Sequence, residues 1–374
     1  MDVSIHSGGV LQIEPTDHCN LACSMCLPHF EKRPQIHGIP KGMMDLELFR
    51  HIVDGLVEEK VRFDHVILQW LGDPSLHPQL EEMSRFARER LWEQVGYLRI
   101  DTNAITLTDS RMDGLLQAYQ SRPEMPMLMV FTIDAVTPET YQRVKGVDAL
   151  DRVRRHVRHL VMQRARLPGD VRLNVQLQFV LQDGNAHEVG EFVHYWTEFL
   201  RCHAGSKGYD EILVKRLSVD AGGEGQLAAD ELYEKTCAEQ QIAERVEHGV
   251  HLKVWEGRAW ESTASPTAPR QPCPGMWMTP VIRHDGHLMM CCVDLPGALD
   301  LGSLAEHSFR SLWEGQEARR RRLAHIRGAF DEVSPCADCG GISWYTTPPE
   351  FVRDWLDQVG EPELWESYRN RMRL

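Results

Sequence analysis

Three thiols stand within eight residues of "TDHCNLACSMC", at Cys19, Cys23 and Cys26, with no fourth close by. A zinc knuckle would complete its set within a few residues and a disulfide framework needs an even number, so the spacing points elsewhere. Three thiolates can hold a four-iron cluster and leave one iron open to an external ligand. A second set of five, Cys273, Cys291, Cys292, Cys336 and Cys339, lies towards the other end of the chain. "HDGH" between two apolar runs is a hairpin signal and predicts a strand over "LMMCC". Neighbouring side chains on a strand face opposite ways, so Cys291 and Cys292 should not share one metal. Cys273, Cys291, Cys336 and Cys339 then form the economical four-ligand set, for zinc or for an iron–sulfur cluster, and Cys292 is left free.

The elements that must position these thiols are legible as alternating patterns. Strands are expected at 10–16, 65–70, 97–101, 127–133, 172–180 and 211–216. Helices with apolar residues at three- and four-residue spacing are expected at 46–59, 79–92 and 150–165. Strand, helix, strand repeated in this way means parallel β/α units, and six of them suit an open, partial (β/α)6 TIM-like barrel of the α/β class. The first cysteines follow directly on the first strand, at the strand end where barrels carry their active sites. "VDAGGEGQLAAD" (219–230) and "ESTASPTAPRQP" (261–272) read as loops. The expected division is therefore a barrel over 1–218, a connecting segment over 219–272, a cysteine-rich domain over 273–345 and a helical C-terminal segment over 346–374, opening at a proline pair. The arginine run 319–322 reads as a solvated helix face.

Composition narrows the function classes. The chain has 374 residues, 42% apolar and 26% charged, with a net charge of −14. That balance argues against a nucleic-acid partner and is compatible with a cationic small substrate. The start lacks the basic and apolar regions of a signal peptide, and no apolar run is long enough to span a bilayer, so the expected location is cytoplasmic with no membrane partner. Ten cysteines in a reducing compartment favour metal or redox chemistry over disulfides.

In this setting Cys-x3-Cys-x2-Cys resembles the radical S-adenosylmethionine (radical SAM) superfamily. The resemblance implies a [4Fe–4S] cluster on Cys19, Cys23 and Cys26 whose open iron chelates SAM. An electron from an external one-electron reductant, such as flavodoxin or ferredoxin, then cleaves SAM to a 5′-deoxyadenosyl radical that abstracts hydrogen from a substrate. "WLGDPSLHP" (70–78) resembles the family's glycine-rich motif, which makes Gly72 and Asp73 expected SAM contacts, Asp73 in place of the usual Glu. "DTNA" (101–104) resembles the segment after the third strand and nominates Asn103. "FTIDAVTPETYQRVKG" (131–146) and "FVLQDGNAHEVGEF" (179–192) resemble the segments after the fourth and fifth strands and nominate Asp134 and Asn185. Met25 stands where the family usually packs an aromatic residue on adenine. The later cysteines resemble the SPASM extension in its shortened, twitch form, with one auxiliary [4Fe–4S] cluster. Their spacing is like that of a family dehydrogenase acting on an aminocyclitol.

Four protein ligands would make that auxiliary cluster an electron conduit, and an electron acceptor beside a substrate radical permits oxidation of an alcohol. The expected reaction is dehydrogenation of an aminocyclitol or sugar in natural-product biosynthesis. The competing readings are an epimerase with Cys292 as hydrogen donor, a maturase of a ribosomal peptide, and a non-enzymatic metal scaffold. Peptide maturases often carry an N-terminal leader-binding domain of about 90 residues, and only nine or ten residues precede the first strand here, which lowers that reading without excluding it, since such domains can be separate proteins.

Overall fold

The computed structural model describes residues 9–26, 40–203, 210–218, 224–255, 269–342 and 345–374. Within them the barrel strands are β1 (Val10–Ile13), β2 (Phe63–Ile67), β3 (Val95–Thr102), β4 (Met127–Thr132), β5 (Leu173–Leu181) and β6 (Asp210–Arg216). Helices α1 (Leu46–Glu58), α2 (Leu80–Leu91), α3 (Asp109–Gln120), α4 (Pro138–Lys145), α5 (Leu150–Arg164) and α6 (Val189–Cys202) connect them. Each forms for local reasons. In α1, Phe49, Ile52, Val53 and Leu56 put the buried residues on one face, and Asp45 caps the first turn through the amides of Glu47 and Leu48. In α4, Thr137 caps, Pro138 opens the first turn, and Gly146 closes the last one in the left-handed conformation.

The strands pair in parallel from β1 to β6. Alternate residues such as Leu11, Val66, Leu98, Met129, Val175 and Ile212 are buried in the apolar core. Their neighbours line the other, concave face in register: Gln12, Ile67, Arg99, Leu128 and Asn174 in one row, Asp101, Val130, Gln176 and Glu211 in the next. That face is largely polar, and any substrate of the barrel would meet it.

The connecting segment holds more structure than its composition suggests. Glu224–Glu239 forms helix α7 where 219–230 reads as a loop, the first five of those residues lying outside the described ones. After a short strand β7 (Arg245–Glu247), β8 (Val250–Trp255) pairs in parallel with β6 and adds a seventh strand to the six expected. Of the second expected loop, 261–268 lie outside the described residues.

Beyond it, a one-turn helix α8 (Gly275–Met278) precedes the strands β9 (Val281–Ile282), β10 (His287–Met289) and β11 (Asp300–Ser303). The "HDGH" turn joins β9 to β10 as expected, with Gly286 in the left-handed region. β9 pairs in parallel with β1, so one sheet runs from β11 through the barrel to β7. Helices α9 (Phe309–Trp313), α10 (Gln316–Arg327), α11 (Pro349–Val359) and α12 (Leu364–Met372) complete the chain, with Pro349 in the first turn of α11. The arginine run on α10 is not a solvated face throughout. Arg321 and Arg322 are buried, and Arg322 donates to the carbonyls of Met276 (2.9 Å) and Trp313 (2.7 Å), with its guanidinium 4.7 Å from the Trp313 ring.

Candidate iron–sulfur and SAM site

β1 delivers the chain into the loop that carries Cys19, Cys23 and Cys26, and two contacts fix how it leaves the strand. Gly72 packs so closely that a Cβ would stand 2.2 Å from the Thr16 carbonyl oxygen and 2.6 Å from that of His18. The Asp73 amide donates to the His18 carbonyl at 2.8 Å. The backbone that approaches Gly72 this closely is the entry to the cysteine loop. On the far side, the amide of Ser24 donates to the Val144 carbonyl at the end of α4 (3.1 Å) and its hydroxyl to Gln182 Oε1 (3.0 Å).

Burial, with Cys23 and then Cys19 adding to it, pushes the Cys26 thiol up to about 12. Burial likewise raises Cys19 and Cys23. Thiols so raised stay protonated unless a cation replaces the protons, and the three are electrostatic neighbours. An electrostatic neighbour of Cys23 is the buried ammonium of Lys145, ion-paired to Asp134. Burial works against its charge, but Asp134 and then Cys23 hold its pKa above the ordinary lysine value. A fixed positive charge there favours thiolate at Cys23.

The polar side chains nominated for SAM are already engaged by the protein. Asp73 Oδ1 accepts from the Ser75 amide and hydroxyl and from the Thr102 hydroxyl, while Oδ2 accepts from the Asn103 amide. Asn103 Nδ2 donates to Asn20 Oδ1. Asp134 accepts from the Val180 amide as well as pairing with Lys145. Asn185 donates to the carbonyls of Asp134 and Val180 and accepts from the Gln182 amide. These residues do converge on the strand ends around the cysteine loop, and their side chains hydrogen-bond groups of the protein there. Met25 is half-buried, its sulfur accepting from Gln182 Nε2 at 3.7 Å. Lys145 was missed in the sequence reading. The signal was there, a lysine one residue before the glycine that closes α4.

The second thiol set converges around Gly275. The sulfurs of Cys291 and Cys273 lie 3.1 and 3.4 Å from the point where a Cβ on Gly275 would stand. Backbone amides point at these sulfurs: Gly341 donates to Cys339 (3.4 Å), Ile342 and Gly275 to Cys273, Val293 to Cys291. Burial and then Cys291 push Cys273 up to about 12, and Cys336 is raised by burial, Cys291, Cys273 and Cys339. Buried thiols sharing one pocket, ringed by N–H donors and by a glycine that leaves room, suit a cluster held by four thiolates. Among the described residues no three His, Cys, Asp or Glu side chains are arranged to hold a single metal ion.

The expected strand does not reach the cysteine pair. β10 ends at Met289, and the chain then turns, with the Asp294 amide bonding back to the Cys291 carbonyl at 3.2 Å. Strand alternation therefore stops before the cysteine pair. Cys291 is buried in the main apolar core, whereas Cys292 is half-buried and packs with Trp70, Val281, Met289 and Leu295; the two remain close electrostatic neighbours, with Thr279 beside Cys292.

Two contacts tie this pocket to the concave face. Trp70 Nε1 donates to the Cys292 carbonyl at 2.8 Å, and Trp70 packs with Val281, Met289 and Leu295. Tyr345 reaches the same ground from the C-terminal side. Burial pushes its hydroxyl up to about 12, with Asp64, Tyr97 and Cys292 adding and Arg99 opposing.

Comparisons with known proteins agree with this layout. Residues 273–340 match the SPASM family, described as an iron–sulfur cluster-binding domain. Over 152 residues the chain is 28% identical to GTP 3′,8-cyclase 1 of Mycobacterium tuberculosis, covering 39% of this chain and 37% of that protein. Over 109 residues it is 32% identical to the tungsten-containing aldehyde ferredoxin oxidoreductase cofactor-modifying protein of Pyrococcus furiosus, covering 29% and 27%. The matches thus span 37% and 27% of the length of these curated relatives. The solved structure of anSMEcpe with bound AdoMet superposes with a TM-score of 0.55 at 15% identity, covering 96% of this chain and 99% of that one, which shows a shared fold.

Proposed function

We propose that the chain is a radical SAM enzyme with a SPASM domain, a reading supported by the matched iron–sulfur domain and the similarity to GTP 3′,8-cyclase 1, and on that premise that it oxidises a hydroxyl of a sugar, polyol or aminocyclitol. Cys19, Cys23 and Cys26 hold a [4Fe–4S] cluster open to SAM, and Cys273, Cys291, Cys336 and Cys339 hold an auxiliary one. When bound, these groups supply one-electron cleavage of SAM, hydrogen abstraction from a substrate carbon and an acceptor for the second electron. The protein's part is to aim. Lys145 favours thiolate at Cys23, the Gly72 turn sets the exit of the cysteine loop from β1, and the concave face presents Tyr97, Arg99, Asp101, Gln176 and Gln178 to the substrate. Reducing power comes from an external flavodoxin or ferredoxin in the cytoplasm. Among the described residues no helix is long and apolar enough to cross a membrane.

What supports this reading is that the strand leading into the first thiol set, β1, pairs with β9 of the part that holds the second, and that Tyr345 is an electrostatic neighbour of Cys292, Tyr97 and Arg99. A hydroxyl held beside Tyr345 lies between a hydrogen abstractor and an electron acceptor. Iron, sulfide and zinc per chain after anaerobic reconstitution test it: about eight irons with matching sulfide are expected. About four irons with one zinc would leave oxidation without its acceptor.

Cys292 supports a second reading, because a thiol neighbouring Tyr345 could return a hydrogen atom and give epimerisation. The Cys292→Ala variant separates the two. Oxidised product should persist at a rate within about threefold of the parent, whereas an epimerase would lose its epimeric product. That Cys292 is an electrostatic neighbour of Cys291 supports a place beside the auxiliary thiols, and with it dehydrogenation.

A further inference from the structure

Lys215 sits on β6 one turn of the pleat from its end, in register with Val180 on β5 and Trp255 on β8. The residue before it, Val214, is fully buried in the apolar core, so Lys215 faces the concave side with Glu211. Its electrostatic neighbours are Arg99 and Asp101 on β3 and Asp134 after β4. β4 and β5 lie between β6 and β3, so these groups meet across the hollow of the barrel.

The charges on that face do not balance. Arg99 is spent on Asp101 in a two-pronged pair with both contacts at 2.6 Å. Glu211 takes Lys253 and accepts from Gln176 Nε2 at 2.5 Å. Asp134 is taken by Lys145. His65, stacked on Tyr97, is held neutral, burial and Arg99 lowering its pKa to about 4. Among the described residues Lys215 has no carboxylate within ion-pair distance, whereas Asp101 and Glu211 each have a cation of the protein, Arg99 and Lys253. The overall charge of −14 favours a cationic substrate only at long range; at contact distance the open position is a cation.

We propose that Lys215 is the anchor for an anionic group of the substrate, a carboxylate or a phosphate, so that the hydroxyl-bearing molecule is a sugar acid or sugar phosphate, not a simple amine. An ammonium on the concave wall whose neighbouring charges, Arg99, Asp101 and Asp134, are each paired elsewhere gains from anionic oxygens supplied by a ligand. The proposal rests on the radical SAM reading only for placing the substrate on this face.

The test uses the reconstituted enzyme with SAM bound. Inorganic phosphate, acetate and methylammonium are titrated separately by calorimetry into the parent, Lys215→Met and Lys215→Arg. Expected is binding of phosphate or acetate but not methylammonium, weakened at least tenfold in Lys215→Met and kept within about threefold in Lys215→Arg. Tighter phosphate binding assigns a phosphate ester, tighter acetate binding a carboxylic acid. Equal binding of anions by Lys215→Met and the parent, or preference for methylammonium, overturns the proposal. Equal iron content and thermal midpoint among the three proteins keeps a folding defect apart from loss of the anchor. SAM cleavage by a strong reductant is measured alongside; its absence would strike the radical SAM reading while leaving the anion result intact.

Discussion

At position 72 a methyl group would meet the Thr16 carbonyl oxygen at 2.2 Å, and backbone on both sides leaves neither partner free to yield. Gly72→Ala should therefore push apart the β2 turn and the entry to the cysteine loop. An overpacking cost of about 3 kcal/mol is expected, together with loss of iron from the first site while the second keeps its own. Thermal unfolding and iron per chain measure both effects; unchanged values would mean the loop does not depend on this contact. The residue was identifiable in the sequence as a glycine in a recognisable motif. Its reason was not, because the partner that demands glycine is a carbonyl more than fifty residues away. The same limit explains Asp73, Asp134 and Asn185. A motif marks polar residues near a site, but whether a carboxylate faces a ligand or its own backbone depends on turns that only the folded chain displays.

Among the elements, α10 shows what a charge pattern conceals. Four arginines in a row lie on a helix whose last turns are buried, and Arg322 holds the carbonyls of Met276 and Trp313 beneath the Trp313 ring. Burial lowers its pKa to about 9. Arg322→Met would keep the stem and leave both carbonyls without their donor. A loss of about 2–4 kcal/mol is expected, read as a lower midpoint of chemical unfolding with the slope unchanged; a loss under about 0.5 kcal/mol would place the guanidinium in water. Most strands and helices of the barrel were legible within a few residues, since apolar periodicity reports local geometry. Three elements were not. Helix α7 begins in a Gly- and Ala-rich stretch that reads as a loop, and β8 is a short strand in a segment taken as a connection. The turn at Cys291 and Cys292 follows an apolar run that ends its pairing two residues early. Each is decided by tertiary contacts: α7 and β8 pack on β6, and the cysteine turn closes over Thr279.

For the whole molecule, Trp70 is the rivet between barrel and C-terminal half, one indole N–H on the Cys292 carbonyl at 2.8 Å. Trp70→Phe keeps the ring and removes the bond, at an expected cost of about 1 kcal/mol. Hydrogen exchange should quicken over residues 281–295 and stay unchanged in β3 to β5; uniform exchange would show that the two halves are held elsewhere. The pairing of β9 with β1 carries a further consequence. The amides of Gln12 and Glu14 donate to the carbonyls of Pro280 and Ile282, so the first strand of the barrel has its outer row of donors occupied by the last third of the chain. A barrel expressed without that third would display a bare strand margin, with Trp70 stripped of its apolar partners Val281, Met289 and Leu295, an invitation to stack edge to edge with its copies. The half that houses the auxiliary thiols is thus also the hem of the sheet, and a nascent chain stays exposed to self-association until that hem is sewn.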